Sequence, residues 1–199
     1  MSDHYYTNQP SAEHHFHEFE FPLRGRRLRF VTDSGVFSKN VVDYGSQVLI
    51  ATYQPPQNPT GTLLDVGCGY GPVGLSFAST FPQVEMIDVN ERAVGLAQGN
   101  AQRNNIENVD IHVSNIYADV HSNSYEAILS NPPVRAGKKV VQEILTGAYP
   151  LLQVGGTLTI VLQKKQGAPS AEKLMTATFG NVEILKRDKG YYILQSVKV

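Results

Sequence analysis

Residues 62–71 read TLLDVGCGYG, an apolar strand running straight into three alternating glycines. Glycines at 67, 69 and 71 let the chain turn sharply and bring bare backbone against a ligand. Pro72 stands where a helix would begin, and the free N–H groups of such a start favour ligand oxygens. A strand forced through this turn into a helix is the opening unit of a βαβ fold, and the pattern recurs. QVEMIDV, VDIHVS, YEAILS and GGTLTIVLQ read as further strands, while ERAVGLAQGNAQRNN, AGKKVVQEILTGAYPLL and SAEKLMTATF read as helices. VEILKRD and YYILQSVKV close the chain as a hairpin through Lys189-Gly190. Strands alternating with helices predict an α/β fold, a sheet with helices on both faces.

One domain accounts for 199 residues that are 41% hydrophobic. Residues 1–20, polar and aromatic, read as an arm rather than a core element. Residues 21–58 read as an N-terminal extension, in which Asp43 caps a helix carrying Val48, Leu49 and Ala51 and Leu28 and Phe30 share one side of a short strand. The Pro-rich loop from Pro55 to Pro59 ends the extension, and residues 61–199 form the core. A single cysteine excludes an internal disulfide. The sequence has no run apolar enough to span a bilayer and no signal pattern at its start, so a cytoplasmic protein is expected.

The formal charge is −1, which does not advertise a nucleic-acid binder. Its distribution is uneven: residues 1–130 hold 7 basic and 14 acidic side chains, residues 131–199 hold 10 and 4. Arg24, Arg26, Arg27 and Arg29 form the densest basic cluster, read equally as a phosphate contact or a solvated strand face. Arg135, Lys138, Lys139, Lys164 and Lys165 follow strand ends and are read as a surface for nucleic-acid phosphates. His4, His14, His15 and His17 sit in the arm without supporting partners and are read as surface residues, not metal ligands.

Five features fall at the carboxyl ends of the strands, where open α/β sheets bind ligands. Asp65 precedes the first glycine; a carboxylate there would repel a pyrophosphate and suits the amino group of an amino-acid moiety. Cys68 lies inside the turn as a small apolar filler rather than a nucleophile. Asp88 ends the second strand, where an acid either holds both hydroxyls of a ribose or caps the helix starting near Glu91, a task Asn90 would do equally well. Asn115 follows the third strand and is read as an adenine contact beside Ile116 or as a plain turn residue, with Asp119 a weaker candidate. Asn131-Pro132-Pro133 follows the fourth strand, where two prolines end the ladder and freeze the backbone beside an amide with both donor and acceptor.

DVGCGYG, the acid in IDVN and the NPP element together resemble the Rossmann-like S-adenosylmethionine-dependent methyltransferases. GVFSKNVVDYGSQVLI, GCGYGPVGL and NPPVRAGKKVV ending in KKQGA resemble the small-domain family, which includes guanine-N2 methyltransferases of small-subunit ribosomal RNA. The resemblance runs from about Phe19 to the C-terminus. It implies a Rossmann-like, seven-stranded, mostly parallel sheet with a C-terminal antiparallel hairpin. It implies that Asp65, Gly67 and Gly69 surround the methionine portion of the cofactor, with Gly71 shaping the turn, Asp88 on the ribose and Asn115 by the adenine, a position where the family commonly has an acid. Asn131 and the Pro132 carbonyl would accept the hydrogens of a target amine, with Pro133 fixing the loop. Many relatives carry an aromatic after NPP to stack on the base. Here the residue is Val134, so stacking falls to another group, Phe37 being the candidate, or is absent. Lys39, Arg135 and Lys138 would meet RNA phosphates.

The expected function is methyl transfer to an exocyclic base amine of RNA, guanine N2 of ribosomal RNA or of a ribosomal particle first. Transfer from a sulfonium needs orientation, not a metal, so neither a metal nor a membrane partner is expected, and the oligomeric state is open. The other readings are a glutamine-amide or small-molecule methyltransferase with the same NPP chemistry, a non-catalytic RNA-binding protein, and an NAD-dependent oxidoreductase. The last is disfavoured by Asp65 and by the lack of a visible proton-transfer constellation.

Overall fold

The computed structural model describes residues 15–34 and 41–199. Its centre is a seven-stranded sheet built from β3 (Thr62–Val66), β4 (Gln83–Asp88), β5 (Val109–Val113), β6 (Tyr125–Ser130), β7 (Leu152–Gln163), β8 (Glu183–Asp188) and β9 (Tyr191–Val197). The strand order is β5-β4-β3-β6-β7-β9-β8; the first five strands run parallel and β9 pairs antiparallel with both β7 and β8. This is the Rossmann-like arrangement expected. The hairpin turns through Lys189 and Gly190 at φ 45° and 83°, the positive pair that suits the twist of the flanking strands.

Alternation along the strands assigns one side chain to each face. Leu63 joins a core with α1 (Tyr44–Thr52), α2 (Pro72–Phe77) and α3 (Glu91–Arg103), whereas Leu64 joins a core with α4 (Lys138–Leu151) and α5 (Ala168–Phe179). Both faces are therefore covered. Tyr191 and Tyr192 are both half-buried, each against a different core. α2 is a short helix, ending at Phe77. α4 runs to Leu151 through Pro150, and β7 follows at once.

An N-terminal hairpin stands apart from the sheet: β1 (His17–Leu23) pairs antiparallel with β2 (Arg26–Thr32). β1 crosses the boundary expected at residue 20 because Phe19 and Phe21 alternate with acids and pack against the α1–α3 core. The outer edge of β2 would leave N–H and C=O groups unpaired. Two asparagines one turn apart, Asn100 on α3 and Asn104 at its C-cap, satisfy those groups. Asn100 accepts from Val31 N at 2.8 Å and donates to Val31 O and Tyr70 O at 3.0 and 2.9 Å. Asn104 accepts from Arg29 N at 2.9 Å and donates to Arg29 O at 2.7 Å.

Candidate functional site

The chain leaves β3 toward β4 and β5 on one side, then returns to place β6 on the other flank of β3. The loops after β3 and β6 therefore diverge, and a crevice opens between their carboxyl ends. Val66 is registered with Ser130, whose hydroxyl donates to Val66 O at 2.8 Å, so the glycine turn and the Asn-Pro-Pro loop start side by side. Between them lies a cavity of about 390 Å³.

The structure brings most of the expected residues to this cavity. Asp65, Gly67, Cys68, Gly69, Asp88, Asn115, Asn131, Pro132, Pro133, Val134 and Arg135 line it. Gly71 does not; at φ 102° it caps α2, and a Cβ there would lie 2.9 Å from Leu75. Lys138 opens α4 and lines a neighbouring groove with Val134. Asp119 is not a lining residue; its N–H donates to the Ser114 hydroxyl at 3.1 Å. Phe37, Lys39, His4 and His14 lie outside the described residues.

Two carboxylates bracket the glycine turn. Asp65 is 1% exposed and accepts from Gly74 N at 2.8 Å. Burial pushes its carboxyl from the ordinary 3.8 up to about 7, against the lowering effect of the Gly74 hydrogen bond, and the charge of Asp88 pushes the same way as burial. Asp88 accepts from Gly69 N and Asn90 N, both at 2.9 Å. Its pKa is also raised, chiefly by burial, against the lowering effect of those backbone hydrogen bonds. Asp88 does not cap α3; Asn90 does, accepting from Arg92 N and Ala93 N. Cys68 is buried, and burial followed by the charges of Asp88 and Asp65 pushes its thiol up, which leaves it un-ionised and inert.

Asn131 is held from a direction its own segment does not reveal. Its Nδ2 donates to Asp43 Oδ2 at 2.9 Å and to Ser46 Oγ at 3.1 Å. A carboxylate only accepts, so the nitrogen of the amide must face Asp43 and the oxygen must face away. Asp43 caps α1 with the same oxygen, accepting from Ser46 N at 2.9 Å. Both Asp43 and Ser46 line the cavity. Pro132 O accepts from Val134 N at 2.9 Å, and Pro133 O from Ala136 N at 2.9 Å. This turn fixes the loop and leaves the Pro132 oxygen one further lone pair.

Beyond β5, Asn115 is exposed, and Ile116 lines the cavity at φ 54°. A β-branched residue is strained there; the Ser114 hydroxyl holds the turn by donating to Ile116 O at 2.8 Å. Tyr191, for which the sequence supported no role, also lines the cavity, its ring 5.6 Å from that of Tyr44.

The basic residues divide. Arg135 is exposed at the cavity, and Lys164 and Lys165 flank the lining residues Gln163 and Gln166 in a single 3-10 turn. Arg24, Arg26, Arg27 and Arg29 do not line it. Arg24 lies over the Phe77 ring at 4.4 Å, and Arg27 and Arg29 pair with Glu20 at 3.6 and 3.3 Å. Among the described residues, no helix is long and apolar enough to cross a membrane.

Comparison with known proteins gives a consistent set of relatives. The family model for the methyltransferase small domain matches residues 27–195. The protein named uncharacterized YbxB of Bacillus subtilis is 48% identical over 202 residues, covering all of both chains. Ribosomal RNA small subunit methyltransferase C of Erwinia tasmaniensis is 34% identical over 185 residues, covering 90% of this chain and 52% of the relative. The chain thus spans about half the length of these methyltransferase relatives. Among solved structures, the T. thermophilus 16S rRNA N2 G1207 methyltransferase in complex with AdoMet and guanosine superposes with a TM-score of 0.84 at 24% identity. That match covers 92% of this chain and 51% of that one.

Proposed function

Because the chain belongs to the methyltransferase small domain family, a family of S-adenosylmethionine-dependent enzymes, we propose that it methylates an exocyclic base amine of RNA, with guanine N2 of small-subunit ribosomal RNA as the first substrate to test. The observation that carries this reading is the tether on Asn131. With its nitrogen held by Asp43 and Ser46, the amide oxygen is turned away from them, beside Pro132.

The cavity fits the cofactor by the chemistry of its donors. Asp65 suits an ammonium group, and Asp88 retains lone pairs for a diol beyond its contacts to Gly69 N and Asn90 N. A Cβ at Gly69 would meet nothing within 4 Å, so the turn offers bare backbone at that point. S-adenosylmethionine supplies an electrophilic methyl carbon. The protein therefore needs no nucleophile of its own, and its residues orient. The lone pair of an exocyclic amine is delocalised into its ring. Hydrogen bonds from the amine to Asn131 Oδ1 and Pro132 O would localise that lone pair and aim it across the cavity. Val134, beside this pair, offers an apolar contact to a base rather than a stacking ring. A base in a duplex must first leave its stack. Arg135, Lys138, Lys164 and Lys165 would take the flanking phosphates, and a cytoplasmic RNA or ribosomal particle is the partner proposed.

Transfer of tritiated methyl from S-adenosylmethionine to RNA and to ribosomal subunits, followed by nucleoside analysis, tests the reading. Label is expected in N2-methylguanosine. Label confined to protein would reject the RNA substrate, and full transfer by Asn131→Ala would reject the role of the amide.

A further inference from the structure

A second cluster of side chains lies on the sheet away from the cavity, on the face that α4 and α5 cover at other strands. Glu85 on β4 is 3% exposed. Its register partner on β5 is Asp110, and His112 stands two residues further along the same face. His121, in the loop leading to β6, stacks on His112 with ring centroids 4.1 Å apart and planes 13° from parallel.

The placement is costly as it stands. Two carboxylates at paired positions on one face of adjacent strands repel. With both imidazoles neutral the group carries two negative charges and no balancing cation of its own. The hydrogen bonds nevertheless orient every member. Glu85 accepts from the Tyr125 hydroxyl through Oε2, which leaves Oε1 to face His112 Nε2 at 2.9 Å and to accept from His121 N at 2.9 Å. His121 Nδ1 meets Asp110 Oδ2 at 2.6 Å, and His112 Nδ1 meets Val113 O at 3.3 Å. Asp110 only accepts, so in the neutral His121 ring Nδ1 carries the proton and Nε2 is a free lone pair. At His112 both ring nitrogens face oxygens that only accept, so a neutral ring can donate to one alone, and a cation at Nε2 would satisfy the Glu85 carboxylate while Nδ1 donates to Val113 O. Rings fixed through Nδ1 by a carboxylate or a carbonyl are the usual outer support of a metal-bound histidine.

We propose that Glu85, His112 and His121 bind one divalent transition-metal ion, zinc in the first instance, with Asp110 orienting His121. One ligand atom from each of the three residues lies within 4.8 Å of the others. Closing to bond lengths of about 2.0–2.2 Å needs movement chiefly of His121, whose side chain is 59% exposed. Two nitrogens and one oxygen suit zinc, copper or nickel over calcium or magnesium. A bound ion would cancel the charge of both carboxylates and pin the loop of residues 114–124, which carries Asn115 and Ile116, to β4 and β5.

The test is titration of ZnCl₂ into the full chelator-stripped chain, followed by calorimetry and by thermal unfolding. One equivalent with a rise in melting temperature is expected. Asp110→Asn should weaken binding by about 10- to 100-fold, and His121→Gln by at least as much. His121 is exposed, so that variant should still fold, which far-ultraviolet circular dichroism would verify. A chain with His4, His14, His15 and His17 all changed to Gln should bind as the parent does. Absence of saturable uptake would overturn the proposal. So would uptake lost in the four-histidine variant and unchanged in His121→Gln, which would place the ion on the N-terminal arm.

Discussion

Asp65→Asn should move stability and cofactor affinity in opposite directions. In the free protein at pH 8 the buried carboxylate is held ionised although its pKa has risen from 3.8 to about 7. At about 1.4 kcal/mol per pH unit, this costs the fold at most about 4 kcal/mol. The amide removes that cost and can still accept from Gly74 N, but its buried NH₂ needs new partners, an offset of about 1–3 kcal/mol. The net gain is about 1–3 kcal/mol, which for a chain of this size raises the melting temperature by roughly 3–10 °C. Cofactor affinity should fall, because a charge-assisted hydrogen bond to an ammonium contributes about 1.5–3 kcal/mol, or about 10- to 150-fold in Kd. The sign with pH follows from linkage. Asp65 binds its proton more tightly folded than unfolded, so it does not penalise the fold below about pH 4. The penalty grows as pH rises toward 7 and is complete above it. The stabilisation by Asp65→Asn should therefore be present at pH 8 and absent at pH 4.5. Thermal unfolding at the two pH values and calorimetry with S-adenosylmethionine at pH 8 measure both effects. Unchanged affinity would refute the pairing of Asp65 with the ammonium group. A variant less stable than the parent at pH 8 would refute the desolvation argument.

Wild-type affinity for S-adenosylmethionine should rise with pH to about 7 and then level, since the cofactor favours ionised Asp65; a flat calorimetric profile from pH 6 to 8 would exclude this. Asp43→Ser combined with Ser46→Ala keeps a hydroxyl cap on α1 but cuts both tethers on Asn131, and should slow methyl transfer by about 10- to 100-fold with cofactor Kd unchanged. Steady-state kinetics and calorimetry together would separate that outcome from general misfolding. Asn100→Ala removes three buried hydrogen bonds and should cost about 3–5 kcal/mol in urea unfolding; a loss below 1 kcal/mol would mean that the amide does not hold β2. Arg135→Ala and Lys138→Ala should each weaken RNA binding and reduce the slope of affinity against salt by about one, and an unaltered slope would remove those residues from the RNA path.

Local chemistry made much of the fold and part of the site legible. The glycine turn, the acid ending β4 and the Asn-Pro-Pro loop each carry their meaning within a few residues, and all reach one cavity. β1 also left a local signal, since Phe19 and Phe21 alternate with acids, but the histidines and tyrosines ahead of it made residues 1–20 read as an arm. The tether on Asn131 left none. Asp43 is legible as a helix cap, yet its second partner lies 88 residues away. The cluster of Glu85, His112 and His121 likewise spans two strands and a loop, with no short spacing to betray it. Tyr191 reaches the cavity because β9 lies beside β7, a consequence of strand order rather than of its own neighbours.

The bonding of β2 to α3 has a consequence for biosynthesis. The hairpin leaves the ribosome before α3, and the Asn100 amide that completes its edge lies 69 residues downstream of Val31. At about 5–20 residues per second, β2 waits roughly 3–14 s for its partner with an open edge. During that interval the nascent chain offers an unpaired strand to whatever chaperone or neighbouring chain is near. The hairpin is thus made well before the helix that secures it.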